Sequence, residues 1–133
     1  MVIPQAVYHE IVVEGAGEPG AAEIQSADWV LVKTCSPSLL LEQLRIELDP
    51  GEAEAIALAV EIGADRILID ERKGRQIALH HALRPVGVLG VLLRAKQEKL
   101  IPHVRPLMDR LLDKADFFIH RSLYDEIISM AGE

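Results

Sequence analysis

The stretch LDPGEAEAIALAVEIGADRILIDERKGR, Leu48 to Arg75, decides the fold. Asp49-Pro50-Gly51-Glu52 is a helix start: Asp49 is the N-cap, Pro50 takes the first helical position and Glu52 the third, the spacing of a capping box. The helix runs to about Ile62, where Gly63 stops it. Apolar side chains cover most of its circumference and leave a polar edge at Glu54 and Glu61, so it is largely buried. Arg66 to Ile69 shows no polar alternation and reads as a strand buried on both faces, the habit of a parallel sheet. Asp70 ends that strand, Glu71 to Gly74 turns, and Arg75 to Leu83 reads as a helix.

Outward from this stretch the same alternation continues. Val2 and Ile3 are the end of a strand, and Pro4 starts a helix from Gln5 to Val13 whose stripe is Ala6, Val7, Glu10 and Val13. Glu14 to Gly20 is a loop, because three glycines and a proline fall within seven residues. A short helix is expected over Ala21 to Gln25, a strand over Trp29 to Val32, and one or two helical turns over Leu39 to Arg45. Pro85 to Gly87 is a short strand, Val88 to Gln97 an apolar helix, and Val104 to Lys114 and Arg121 to Met130 amphipathic helices. Helices alternating with short buried strands define an α/β fold with a mainly parallel sheet. Ligands of such sheets bind beyond the carboxyl ends of the strands, where Asp70 stands.

Composition bounds what the chain can be. Its 133 residues suit a single domain, and half are hydrophobic while only 4% are aromatic, so the core is aliphatic. No apolar run is long enough to span a membrane, and the start lacks the pattern of a secretory signal. A single cysteine, Cys35, excludes an internal disulfide framework and fits a reducing cytoplasm. The net charge of −7 argues against a broad nucleic-acid-coating surface, though not against a local basic groove. The histidines show no metal-ligand spacing, and there is no phosphate-binding glycine loop or nucleophile elbow.

Carboxylates are the residues that could carry chemistry. Glu10, Glu52 and Asp70 come from different elements, with Glu54 and Glu71 as secondary candidates. Converging acids of this kind suit Mg²⁺ or Mn²⁺, hard cations that take oxygen ligands and keep waters for phosphodiester hydrolysis. Each acid also has a structural role open to it. Glu52 is placed to close the capping box, Asp70 to cap the next helix, Glu10 to edge its stripe, Glu54 to lie on a solvated face and Glu71 to pair in the turn. The basic cluster Arg72, Lys73 and Arg75 beside the acids suits an RNA phosphate backbone.

The segments VIPQAVYHEIV (Val2 to Val12), Leu48 to Arg75 and VGVLGVLLRAKQEKLI (Val86 to Ile101) resemble the PIN-like proteins of prokaryotes, in particular a branch long catalogued as a domain of unknown function and described as VapC-like toxins. The resemblance implies a three-layer α/β fold with a mainly parallel sheet and an acidic pocket. It also implies a Mg²⁺- or Mn²⁺-dependent endoribonuclease of the cytoplasm, the toxin of a toxin–antitoxin pair held by a cognate antitoxin. It maps Glu10, Glu52 and Asp70 onto that family's acids. Two departures are expected to matter. The family's first strand, with its aspartate, and the helices after it have no counterpart before Val2, so the fold reads as N-terminally truncated, and Val88 stands where a hydroxyl residue is common. Weak or absent cleavage by this chain follows, as does a groove or sheet edge that favours self-association. The other reading is a non-catalytic module that binds an antitoxin or itself and uses its acids as caps.

Overall fold

A computed structural model describes residues 1–115 and 117–133 and divides the chain into two compact units, Met1–Pro85 and Val86–Glu133. The first opens with strand β1 (Val2–Pro4) and helix α1 (Gln5–Tyr8), which widens at once into a π-helical turn, His9–Glu14. Helix α2 (Ala21–Ser26), strand β2 (Leu31–Lys33), helices α3 (Leu39–Glu47) and α4 (Pro50–Glu61), strand β3 (Arg66–Leu68), helix α5 (Arg72–His80) and strand β4 (Arg84–Val86) follow. The last residue of β4 opens the second unit, which holds α6 (Val88–Gln97), α7 (Arg105–Lys114) and α8 (Arg121–Met130).

The α/β class is as the sequence indicates, but the sheet is not one piece. Among the described residues β1 pairs in parallel with β2, Val2 opposite Leu31 and Ile3 opposite Val32, while β3 pairs with β4 in a separate two-stranded sheet. Strand β3 is not buried on both faces: Ile67 is buried, but Leu68 keeps 57% of its surface exposed, the strand having β4 as its one sheet partner among the described residues. Trp29 lies outside β2 and is 62% exposed, since pairing with β1 begins two residues later, at Leu31.

Helix α4 is the centre of the first unit. Ala53, Ile56, Ala57 and Leu58 are buried against Leu41 and Leu44 of α3, Ile67 and Ile69 around β3, and Ala78 of α5. The lone thiol, Cys35, is part of this aliphatic core. The polar edge expected at Glu54 is different in kind. Its side chain is only 14% exposed, its carboxylate accepts the Ala6 amide at 3.4 Å, and Arg45 approaches it at 3.8 Å. Ala6 is the second residue of α1, so Glu54 satisfies an amide that α1 cannot satisfy itself. Glu54→Ala is expected to destabilise the chain by about 1 kcal/mol, the usual cost of removing a cap. Chemical denaturation of Glu54→Ala beside Glu54→Gln, which keeps an acceptor, checks this.

The second unit packs Leu89 and Leu93 of α6, Met108 of α7 and Ile127 and Ile128 of α8 around Val104. Val104 is the N-cap of α7 and has no side-chain oxygen to offer its amides. Glu133 supplies one from the far end of the unit, accepting the Val104 amide at 2.8 Å, the Arg105 amide at 3.2 Å and Lys96 Nζ at 2.9 Å. These donors hold the carboxyl down at about 2. A carboxyl lowered by folding binds fewer protons in the native state. Its contribution to stability is therefore complete above the ordinary value of 4.5 and lost as pH falls toward 2. Glu133→Gln is expected to flatten the acid limb of a stability-against-pH curve between those values; an unchanged limb would refute the assignment.

Among the described residues no helix is long and apolar enough to cross a membrane.

Candidate active site at the start of α4

The local sequence builds this site from helix ends. At the start of α4, Asp49 is extended and its Oδ1 accepts the Glu52 amide at 2.9 Å, with Pro50 at the first helical position. This is half of the expected capping box. The Asp49 backbone lies near enough to the Glu52 carboxylate to favour its charged form. The Ala53 amide reaches the Asp49 carbonyl at 3.0 Å. Against the remaining position, Gly51, the carboxylate of Glu10 is packed, and the Gly51 backbone favours the charged form of Glu10.

Glu10 arrives there because α1 does not continue as an α-helix. In the π-helical turn the Gly15 amide bonds the Glu10 carbonyl at 3.0 Å, five residues back. The wider turn breaks the stripe expected at 3.6-residue spacing and leaves Val13 exposed. Gly15 ends the turn where a Cβ would fall 2.6 Å from the Ile11 carbonyl oxygen, so only glycine fits without a shift. Gly51 makes the complementary allowance. A Cβ there would lie 2.7 and 2.8 Å from the two oxygens of Glu10, so the carboxylate rests in the space that a side chain would fill.

Glu52 lies between two helix starts. Gly74, buried in the first turn of α5, would carry a Cβ 2.5 Å from Ile69 Cδ1 and 3.8 Å from the Glu52 carboxyl carbon. Glu52 is thus brought close to the end of β3, next to Asp70 in the chain. Asp70 itself is exposed and does not cap α5. That cap is Glu71, whose carboxylate accepts the Lys73 amide at 3.4 Å, and α5 begins at Arg72, three residues earlier than expected. The basic cluster therefore sits on the first helical turn. Arg72 and Lys73 are exposed, whereas Arg75 is half-buried and donates to the Ile69 carbonyl at 3.0 Å, tying α5 to the end of β3.

The electrostatics are those of crowded acids. Partial burial raises the Glu10 carboxyl, reinforced by Asp49 and Glu14, and burial raises Glu52, reinforced by Asp49 and Glu71. Asp49, read from sequence as a cap alone, is a member of this group. A carboxyl raised by folding holds more protons in the native state. Stability therefore falls as pH rises from the ordinary 4.5 through the raised value, and the full penalty stands at neutral pH. Glu52→Gln is expected to raise the melting temperature at pH 7, with the gain shrinking as pH approaches 4.5. A gain that is the same at both pH values would show that crowding is not its cause.

The donor chemistry is all carboxylate, which fits Mg²⁺ or Mn²⁺ rather than zinc. The count is smaller than a closed cage requires: among the described residues no three His, Cys, Asp or Glu side chains are grouped to hold one ion. Mg²⁺ is commonly held by one or two carboxylates, with water and substrate phosphate oxygens completing its shell. Glu10 and Glu52 are the residues that would provide them.

Short parallel strands among many helices place the chain in the mixed α/β class. The family model DUF3368, described as a PIN domain, matches residues 1–133, and the chain belongs to that family. No curated protein matches the chain, and no solved structure matches it.

Proposed function

We propose that the chain is a PIN-like, Mg²⁺- or Mn²⁺-dependent endoribonuclease domain of the VapC-like branch, the toxin of a toxin–antitoxin pair, with Glu10, Glu52 and Asp70 as its acids. The observation that carries this reading is the Glu10 carboxylate seated over Gly51 beside Glu52, in a chain of the PIN family. When bound, the metal supplies Lewis-acid activation of a water for attack on a phosphodiester. In this reading the chain's own residues hold and orient. Glu10 and Glu52 present oxygens at the α4 start, Asp70 faces solvent after β3, and Arg72 and Lys73 meet the RNA backbone. Arg75 keeps α5 in register with the strand end. A cognate antitoxin and a self-associated state belong to the same reading. Leu39 and Ile46, seven apart on α3 and 70% and 84% exposed, are the kind of surface that self-association covers.

A second reading, the non-catalytic interaction module, is favoured by one observation. Asp49 and Glu71 each accept a helix-start amide, and the Glu10 carboxylate packs on Gly51 in the first turn of α4, so these acids have structural roles without any metal. Calorimetric titration with Mn²⁺ separates the two. Heat from the wild type that Glu10→Gln and Glu52→Gln each abolish supports the first, and no heat supports the second. RNA cleavage is expected to be weak, to require Mn²⁺ or Mg²⁺ and to disappear in Asp70→Asn. Cleavage that survives Asp70→Asn would overturn the site.

A further inference from the structure

Away from the acids, the first unit has a groove between α3 and the second half of α5. It is a cavity of about 370 Å³ whose apolar walls are Leu40, Leu44 and Ile77. Its rim is polar, with Gln43 and Glu47 from α3, Gln76 and His80 from α5, and His81, the C-cap of α5. The two imidazole rings meet edge to face, their centroids 5.6 Å apart. Gln43, Glu47 and Gln76 are exposed, and among the described residues none of these three side chains is tied to another by a hydrogen bond or an ion pair. Unengaged amides and a carboxylate around apolar and imidazole surface suit a flat heterocycle, which takes hydrogen bonds at its edge and contact on its faces. The groove also continues a surface already described. Helix α5 begins with Arg72 and Lys73, and Arg72, Gln76 and His80 follow one another at steps of four residues on one side of it. Each step is about 6 Å of helix rise.

We propose that this groove holds one unpaired base of a single-stranded RNA whose phosphate meets Arg72, and that it selects adenine or cytosine over uracil. The inference rests on the part of the ribonuclease reading that places RNA on α5. The choice of base follows from Glu47, which as a carboxylate only accepts hydrogen bonds. Adenine and cytosine offer it an exocyclic amino group, where uracil has a carbonyl oxygen that an acceptor repels. Gln43 and Gln76 carry a donor and an acceptor side by side and serve the rest of the base edge. His80 and the apolar walls take its faces. A base within a duplex has its pairing edge occupied and its faces stacked, so it cannot enter.

The test uses the full chain with a chelator present, so that no strand is cut. The probes are fluorescein-labelled oligoadenylate, oligocytidylate and oligouridylate of about eight nucleotides, beside an RNA duplex of the same length. Anisotropy is expected to show oligoadenylate and oligocytidylate bound at least about tenfold more tightly than oligouridylate or the duplex. Glu47→Ala and Gln76→Ala, at exposed positions, are expected to erase that preference with the melting temperature unchanged. Arg72→Ala is expected to weaken every single strand alike, as the loss of a phosphate contact does. Equal binding of the three strands, or a preference that both Glu47→Ala and Gln76→Ala leave in place, overturns the proposal and leaves the nuclease reading standing on its metal-dependent cleavage. Selective binding by a chain that neither cleaves RNA nor takes up Mn²⁺ upholds the groove and removes the nuclease reading. A chain that binds none of these RNAs overturns both.

Discussion

Ile56→Ala is expected to lower the unfolding free energy by about 2–5 kcal/mol, against roughly 5–15 kcal/mol for a protein of this class. Ile56 has none of its surface exposed and sits in the middle of α4, where α3, β3 and α5 converge. Removing its outer carbons forfeits their transfer from water and leaves a void. The flanking Ala53, Ala57 and Ala59 have no side-chain length with which to fill it. Urea denaturation followed by circular dichroism measures the loss, with Leu39→Ala, at a 70% exposed position, as a control expected to stay within about 0.5 kcal/mol. A loss for Ile56→Ala below about 1 kcal/mol would mean that the surrounding aliphatics collapse onto the gap.

Met108→Ala is expected to have an effect of the same order in the second unit, about 2–5 kcal/mol. Met108 also has none of its surface exposed, and it packs beside Val104, the equally buried N-cap of α7. The substitution opens a void under the point where Glu133 holds the α7 start. It is therefore expected to make the unit more sensitive to acid than the wild type, because the clip then secures a looser helix. Met108→Leu, which conserves volume, is expected to cost less than about 1.5 kcal/mol. Parallel denaturation of the two variants distinguishes lost packing from a general intolerance of change.

Much of the fold was legible because its signals are local. The Asp49-Pro50 start, the Gly63 stop and the boundaries of the Val88–Gln97 helix are all chemistry of a few adjacent residues, and the structure has them where the sequence puts them. What the sequence hid depends on partners distant in the chain. Glu54 looks like a surface acid until the Ala6 amide, 48 residues away, is placed beside it. The π-helical turn at His9–Glu14 is invisible to a 3.6-residue pattern, and the Gly15 that permits it reads only as the start of a loop. Asp70 is a better N-cap than glutamate on local preference, yet Glu71 caps α5, because α5 begins at Arg72 and Glu71 is the residue just before it. Strand pairing was the hardest part. RILI looks like a doubly buried strand whether or not a neighbour exists to bury it, and the split into two half-sheets is a matter of topology.

The candidate acids are legible as residue types in plausible places, and the structure brings Glu10 and Glu52 within electrostatic reach of each other and of Asp49, and Glu52 within reach of Glu71. The sequence could not show that Gly51 is the allowance that admits Glu10, or that Gly74 is one that admits Ile69. Glycines at those positions read as helix-start and turn residues. Only the packing shows that each leaves room for a neighbour, a carboxylate at one and Ile69 at the other.

The starts of α1 and α4 hold each other. Glu54, from α4, takes an amide of α1, and the Glu10 carboxylate, from the turn after α1, packs against Gly51 in the first turn of α4. Unwinding α4 therefore removes the acceptor that closes the first turn of α1, and moving the turn after α1 uncovers the first turn of α4. A four-residue helix, far too short to persist by itself, thereby inherits the persistence of the most buried helix in its unit. The Glu10 carboxylate in turn rests on the first turn of that same helix, so the two ends of this contact share one footing.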